Sequence, residues 1–251
     1  MLTTERKALI LKLLANEGRV VAKQLSQKLD LSEDTIRRDL RELAAEGLLQ
    51  RVHGGALPAS KALADLPTRR KVHADDKTAI AKAAAGMIKN GQTVFLDGGS
   101  SAIAVARALP LALRAIIVTH SPDIAVALHA HPAIEVELIG GRIYKHSNVA
   151  VGAVAIEGIS SLKADIYLMG VTGIHHEHGL TTGDREEAAV KRAIVRQAAE
   201  TIVLASREKL GAVSACNVVG LDQVDGLLVA KSCPANLLVP FRTAGISIST
   251  A

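Results

Sequence analysis

The chain has 251 residues, 49% of them hydrophobic, 22% charged and 2% aromatic, with a formal net charge of +5. This is the composition of a globular protein with one large or two unequal domains; it excludes a disordered chain, and so few rings argue against gripping single strands by base stacking. No apolar run reaches the ~18 residues of a membrane span, and the charged start MLTTERKALI is unlike a signal peptide, so the expectation is a soluble, cytoplasmic protein with Cys216 and Cys233 reduced.

Leu9, Ile10, Leu13 and Leu14 recur at helical spacing, and Asn16-Glu17-Gly18 ends that first helix. Val21, Leu25 and Leu29 mark a short second helix, with Asp30-Leu31 as the turn. Ser32 is placed as the N-cap of a third helix, with Glu33 and Asp34 in its first turn complementing the dipole. Ile36, Leu40 and Leu43 share one face, and Gly47 ends the helix. LLQRVHGGAL (48–57) then has the pattern of a two-stranded wing around Gly54-Gly55. On the third helix Arg38 points away from the apolar arc, with Arg37 and Arg41 on one flank of the exposed face and Thr35 on the other. Guanidinium forks on an exposed helix behind a tight turn suit guanine edges and phosphates in a major groove. Arg51 and His53 on the wing are placed to reach the adjacent backbone or minor groove. Residues 1–57 carry ten basic against eight acidic side chains, so pattern rather than net charge supports this reading.

Residues 58–77 are polar, contain Pro58 and Pro67, and lack sustained amphipathic spacing. They are expected to link a DNA-binding domain over 1–57 to a larger domain over 78–251. In that larger domain β-rich runs at 93–96, 115–119, 134–139, 165–170, 201–205 and 226–230 alternate with helical stretches at 102–109, 122–130, 152–162 and 186–200. The fold class is therefore α/β with a mostly parallel sheet, whose ligands bind beyond the carboxyl ends of the strands. LDGGSSA (96–102) lies at such a place and opens a helix; its glycines, hydroxyls and helix N-terminus suit a phosphate, and Asp97 suits sugar hydroxyls. On these residues alone, plain turn chemistry is the competing explanation. His120, beside the strand-end Thr119, is a further site candidate against a satisfied structural histidine. His175-His176-Glu177-His178 offers metal-ligand types, but nearly contiguous and without the i, i+4 helical spacing that presents two rings to one ion; it is expected to be a polar surface loop, with no metal site.

LSEDTIRRDLRELAAEGLLQRVHGGA (31–56) resembles the DeoR-type winged helix-turn-helix of bacterial transcription factors, whose signature runs S-x-x-T-I-R-R-D-L…L-x-x-x-G-x-L-x-R-x-H-G-G. The resemblance implies a helix-turn-helix over about 20–39. It implies DNA contacts from Ser32, Thr35, Arg37, Arg38 and Arg41, an intradomain arginine partner for Asp39, and a wing turn built on His53 and its glycines. Downstream, DGGSS (97–101), VTHS (118–121), IGGR (139–142), ADIYLMGVTGI (164–174), GLTTGDREEAAVKR (179–192) and EKLG (208–211) are similar to the DeoR-type sensor domain. That domain is related to the ribose-phosphate isomerase fold and binds phosphorylated sugars or their relatives. By this resemblance Asp97, Gly98, Gly99, Ser100 and Ser101 form a phosphate loop, and Thr119, Arg142, Gly170, Gly173, Glu187, Lys191 and Lys209 line the rest of the pocket, with His120 beside them. The family usually has Gly-Thr-Thr at 99–101, Asn at 120 and Asp-Ser-Ser-Lys at 206–209, where this chain has Ser206-Arg207-Glu208-Lys209. Losing the carboxylate at 206 and gaining Arg207 predicts a more anionic effector.

The resemblance as a whole implies a repressor without cofactor or enzymatic activity. It would bind double-stranded DNA as a homo-oligomer and be controlled by a phosphorylated sugar or sugar acid. The competing reading is a sugar-phosphate isomerase with an N-terminal appendage, using Asp97, Glu187 and Lys209 for proton transfer.

Overall fold

The computed structural model describes residues 2–60, 62 and 65–251. Helices α1 (Thr3–Glu17), α2 (Ala22–Leu29) and α3 (Glu33–Ala45) enclose a core of Ile10, Leu14, Leu25, Ile36, Leu40 and Leu43. Gly18, at φ 71°, closes α1 by donating its N–H to the Leu14 carbonyl at 3.1 Å. The Ser32 hydroxyl accepts the Thr35 N–H at 3.2 Å and starts α3 where the sequence places it. Arg6 on α1 makes a two-pronged ion pair with Asp39 on α3, one contact being 3.0 Å, with Asp39 fully buried. Strands β1 (Val20–Val21), β2 (Leu49–Val52) and β3 (Gly55–Pro58) form the wing in the order β1-β3-β2, turning through His53-Gly54. A Cβ on Gly55 would sit 1.9 Å from the Val20 carbonyl oxygen, so this crossing admits only glycine.

The stretch expected to be a linker is largely built into the larger unit; its residues 61, 63 and 64 lie outside the described residues. Asp65 caps α4 (Leu66–Lys71) by accepting the Thr68 N–H at 3.0 Å, and Pro67 sits in the first turn. α5 (Ala74–Met87) follows at once. Polar composition hid α4 because it has only six residues and buries Arg69 rather than an apolar stripe; Lys77, in the first turn of α5, is buried likewise.

The remaining elements are β4 (Thr93–Leu96), α6 (Ser100–Ala108), β5 (Ala115–Thr119), α7 (Pro122–Leu128), β6 (Ile134–Leu138), β7 (Arg142–Tyr144), β8 (Val149–Val151), α8 (Ala153–Ser160), β9 (Ala164–Met169), β10 (Gly173–His175), β11 (Gly179–Thr182), α9 (Arg185–Val195), β12 (Ala198–Leu204), β13 (Cys216–Val219), β14 (Gly226–Val229), α10 (Ala235–Thr243) and β15 (Ile248–Thr250). Seven strands make one parallel sheet in the order β15-β14-β12-β9-β4-β5-β6. Successive residues of a strand face opposite layers. Val94 and Leu96 pack with α5, α6 and α7, whereas Phe95 and Tyr167 pack with α8, α9 and α10. The helix expected over 186–200 ends at Val195, and Ala198-Ala199-Glu200 begins β12 instead. Ala198 there registers with Ala164 of β9, and sheet pairing overrides the helix propensity of these residues. Small antiparallel sheets, β7-β8 and β10-β11-β13, flank the main one. Among the described residues no helix is long and apolar enough to cross a membrane.

Candidate functional site

Two regions concentrate chemistry. On α3, burial of Ile36, Leu40 and Leu43 turns Arg37, Arg38 and Arg41 outward, and all three are exposed. Arg37 pairs with Glu33 one turn earlier at 2.8 Å, and no carboxylate among the described residues pairs with Arg38 or Arg41. Ser32 and Thr35 share a hydroxyl contact of 2.9 Å at the helix start. Arg37, Arg51 and His53 line one groove between α3 and the wing, so the structure brings these sequence-predicted residues together on one face. Donors presented this way can meet base edges and phosphates of a duplex.

The second region lies at the carboxyl ends of β4 and β9. Chain order reverses about β4, with β5 on one side and β9 on the other, which opens a crevice at the switch point. Gly98, Gly99, Ser100, Ser101, Gly170, Glu187, Lys191 and Lys209 line a cleft there, which brings together eight of the residues expected around an effector. Gly99 has φ 88°, the left-handed region, and leads directly into α6. The cavity these residues enclose is about 30 Å³, well below the ~300–1,000 Å³ of metabolite sites, so a sugar-sized ligand requires the lining side chains to move apart.

Asp97 lies beneath this cleft, fully buried, and organises its floor. One oxygen accepts from Lys191 Nζ at 2.6 Å, Tyr167 Oη at 2.9 Å and the Gly170 N–H at 2.7 Å. The other meets His120 Nε2 at 2.9 Å and the Gly98 N–H at 2.8 Å. Burial alone would raise the pKa of this carboxyl, but the charge of Lys191 and the bond to His120 hold it below the usual carboxylate range. Lys191 is held protonated despite burial, because Asp97 and Glu187 flank it. Lys209 donates to Ser101 Oγ at 3.2 Å and to the Leu204 carbonyl at 3.0 Å, and burial pulls it down to about 8.

Besides Asp97 beneath it, four further expected site residues are not brought to the cleft wall. Thr119 is fully buried and accepts the Ser121 N–H at 3.1 Å. His120 is buried beside Asp97, with its Nδ1 at 2.9 Å from the Ala150 carbonyl, so it supports the floor rather than facing a ligand. Arg142 is on the exposed β7 and pairs with Glu186. Gly173 is a packing glycine on β10, where a Cβ would approach the Ala212 carbonyl to 2.6 Å.

Sequence reasoning missed Arg69, Lys77, Ser147, Thr172, Thr182 and Glu208, all on the cleft wall. Arg69 and Lys77 come from α4 and α5, inside the expected linker; the Asp65 cap signal was the one clue. Arg207 turns away from the cleft to pair with Asp76 at 2.6 and 2.7 Å. Glu208 meanwhile brings a carboxylate into it, which offsets the one absent at Ser206 and removes the basis for expecting a more anionic ligand.

The histidine run is a β10–β11 hairpin end rather than a surface loop throughout: His175 is buried, and its ring stacks on His176 at 4.5 Å. The ligand atoms of His175, Glu177 and His178 lie within 4.8 Å of one another. However, His175 Nδ1 accepts the Glu177 N–H at 3.1 Å, so the proton of a neutral ring sits on Nε2 and neither nitrogen offers a free lone pair. Burial, with His176 and His178 close by, pulls this ring down to about 4.

The family model for the DeoR-like helix-turn-helix domain matches residues 6–62, and that for the DeoR C terminal sensor domain matches residues 72–231. The HTH-type transcriptional regulator GlpR of Haloferax volcanii is 32% identical over 99% of this chain and 98% of its own length. The glycerol-3-phosphate regulon repressor of Escherichia coli is 30% identical over 95% of each. Among solved structures, ribose 5-phosphate isomerase A of Methanocaldococcus jannaschii overlaps 54% of each chain at 18% identity, with a TM-score of 0.41.

Proposed function

Because the chain belongs to the DeoR family of transcriptional regulators, we propose that it is a repressor whose grip on a double-stranded operator is set by a phosphorylated sugar or sugar acid held in the sensor cleft. One observation carries this reading: the segment leaving the wing itself supplies wall to the cleft. Pro58 ends β3, its carbonyl accepts the Val213 N–H at 3.5 Å, and Ser60 donates to the Thr172 carbonyl. Ala62 and Arg69 then line the cleft with Thr172. A ligand touching these residues touches the tether of the DNA-binding unit.

The chemistry of the cleft suits a phosphate. Arg69, Lys77, Lys191 and Lys209 face three carboxylates (Asp97, Glu187 and Glu208), leaving one cation in excess. The N-terminus of α6 adds backbone N–H groups, and Arg69 Nε is buried without a partner among the described residues. Ser32, Thr35, Arg37, Arg38, Arg41, Arg51 and His53 form the operator face in this reading. Two copies of the chain would present two such faces to successive half-sites in the cytoplasm.

Asp97 argues for sensing over isomerisation. A carboxylate has about four lone-pair sites, and four donors, the Gly98 and Gly170 N–H groups, Tyr167 Oη and Lys191 Nζ, already occupy this one, with His120 Nε2 against it as well. It has no capacity left to take a proton from a substrate carbon. The test is direct: the purified chain is titrated with sugar phosphates by thermal shift, then operator binding is measured with and without each stabilising compound. A stabilising sugar phosphate that changes operator affinity and is recovered chemically unchanged is the expected result. Isomerised product, or stabilisation without any effect on DNA, would defeat the reading.

A further inference from the structure

We propose that Glu208 selects the ligand by its hydroxyl groups, so that the cleft distinguishes a polyhydroxylated phosphate monoester from a bare or alkyl phosphate. This rests on the reading of the cleft as a phosphate site and adds the chemistry of the ligand's other end. Among the described residues two cleft-lining side chains hold a buried polar atom without a partner: Arg69 Nε, a donor, and Glu208 Oε2, an acceptor. The Glu208 side chain is 2% exposed. Its Oε1 accepts from Ser206 Oγ at 2.7 Å and faces Lys77 Nζ at 3.4 Å. Lys77 is itself fixed by the carbonyls of Arg69 and Val72, at 2.6 and 2.5 Å. The carboxylate is thereby pinned by one oxygen, and the other is left over.

A buried acceptor of this kind takes an ammonium or a neutral donor, which on a phosphate monoester of a polyol is an O–H. An ammonium would enter beside Arg69, Lys77, Lys191 and Lys209, where positive charge is already in excess. A hydroxyl supplies the hydrogen without adding charge. One orphaned donor and one orphaned acceptor in the same cleft therefore ask for a ligand with acceptor oxygens at one end and hydroxyls at the other. Sites built to receive a hydroxyl reject the analogue that lacks it, because the protein group is then left buried and unpaired.

The experiment is calorimetric titration of the full chain with glycerol 3-phosphate, ribose 5-phosphate, fructose 6-phosphate, propyl phosphate and inorganic phosphate. At least one hydroxylated ester should bind about tenfold or more tighter than propyl phosphate. In Glu208→Gln the Lys77 ammonium keeps the amide oxygen on its side, which puts the amide NH₂ where Oε2 was and sets donor against donor. That variant should reduce the preference to about threefold or less, with inorganic phosphate bound no more weakly than by the wild type. Glu208→Ala, which removes the acceptor without reversing it, should lose the preference too, and a cooperative thermal transition in either variant shows that it is folded. Equal binding of propyl phosphate and every hydroxylated ester overturns the role of Glu208 while leaving the phosphate cleft standing, as does a preference that survives both substitutions. If no phosphate compound binds the wild type, the cleft reading falls with it.

Discussion

Arg38 stands on the exposed side of α3 with no carboxylate paired to it among the described residues, so its whole donor fork is available to a duplex. Arg37 differs, since Glu33 already holds it at 2.8 Å and must be displaced or shared when DNA arrives. Arg38→Ala is therefore expected to weaken operator binding by ~1–3 kcal/mol if the fork reads a base edge, with relaxed preference at one base pair. Fluorescence anisotropy against the operator and single-base variants measures both; an unchanged affinity would take Arg38 off the interface. Lys209 gives a different kind of prediction. Its ordinary value near 10.5 is lowered by burial to about 8, so in the free protein it loses its charge as pH rises past that point. A bound phosphate, doubly charged above its second pKa of about 6, favours the protonated lysine. Affinity should thus be level from pH 7 to near 8 and fall above it, and Lys209→Met should bind more weakly with that fall abolished. A calorimetric pH series on both proteins checks this; a flat wild-type profile would show that Lys209 does not face the anion. The outward arginines were legible in sequence because helical period fixes their direction. Thr119, Arg142 and Gly173 were assigned by motif position and His120 by its place at a strand end, and neither says whether a side chain faces a cleft or supports its floor.

Elements of whole turns with an apolar stripe are the ones that sequence patterning describes well. α3, with its Ser32 cap and the Ile36, Leu40 and Leu43 face, is such an element, and so are the six strands of the main sheet that the apolar runs foretold. Strands β7, β10 and β11 are short and broken by glycine or polar residues, so they show neither a period nor the apolar run that marks β4, and α4 is ordered by a cap and one buried cation. That is why Arg69, Lys77 and the side sheets were missed. The Arg6–Asp39 pair shows how elements are locked where the apolar core is small. Both partners are buried between α1 and α3, and removing one leaves the other charged and unpaired. Asp39→Ala should therefore cost on the order of 3 kcal/mol in the N-terminal unit. Urea unfolding followed by operator binding would show loss of the DNA-binding unit with the sensor unit's transition unmoved. A loss below ~0.5 kcal/mol would mean that water replaces the partner and the pair is a surface one in energy.

The two units can be coupled only if a ligand binds more tightly to one arrangement of the tether than to another. The physical route is short. Thr172 and Arg69 line the cleft, Ser60 bonds to the Thr172 carbonyl, and Pro58, two residues before Ser60, ends the wing strand β3 and pairs with Val213. Ser60 is buried and stands in neither the arginine face nor the cleft wall, which makes it a place to cut the route without touching its ends. Ser60→Ala removes the side-chain bond to the Thr172 carbonyl and the bond that Ser60 Oγ accepts from the Ala62 N–H at 3.0 Å, and leaves the Ala59–Val213 bridge in place. Operator affinity without ligand and ligand affinity without operator should each stay within about threefold of the wild type. The ratio of operator affinities with and without a stabilising sugar phosphate, ~5–150-fold in coupled systems of this size, should shrink toward one. Both affinities and their ratio come from anisotropy and calorimetric titrations on the intact chain. If the ratio is unchanged while both affinities hold, the signal leaves the cleft by another path, and the wall supplied by the tether is only a wall.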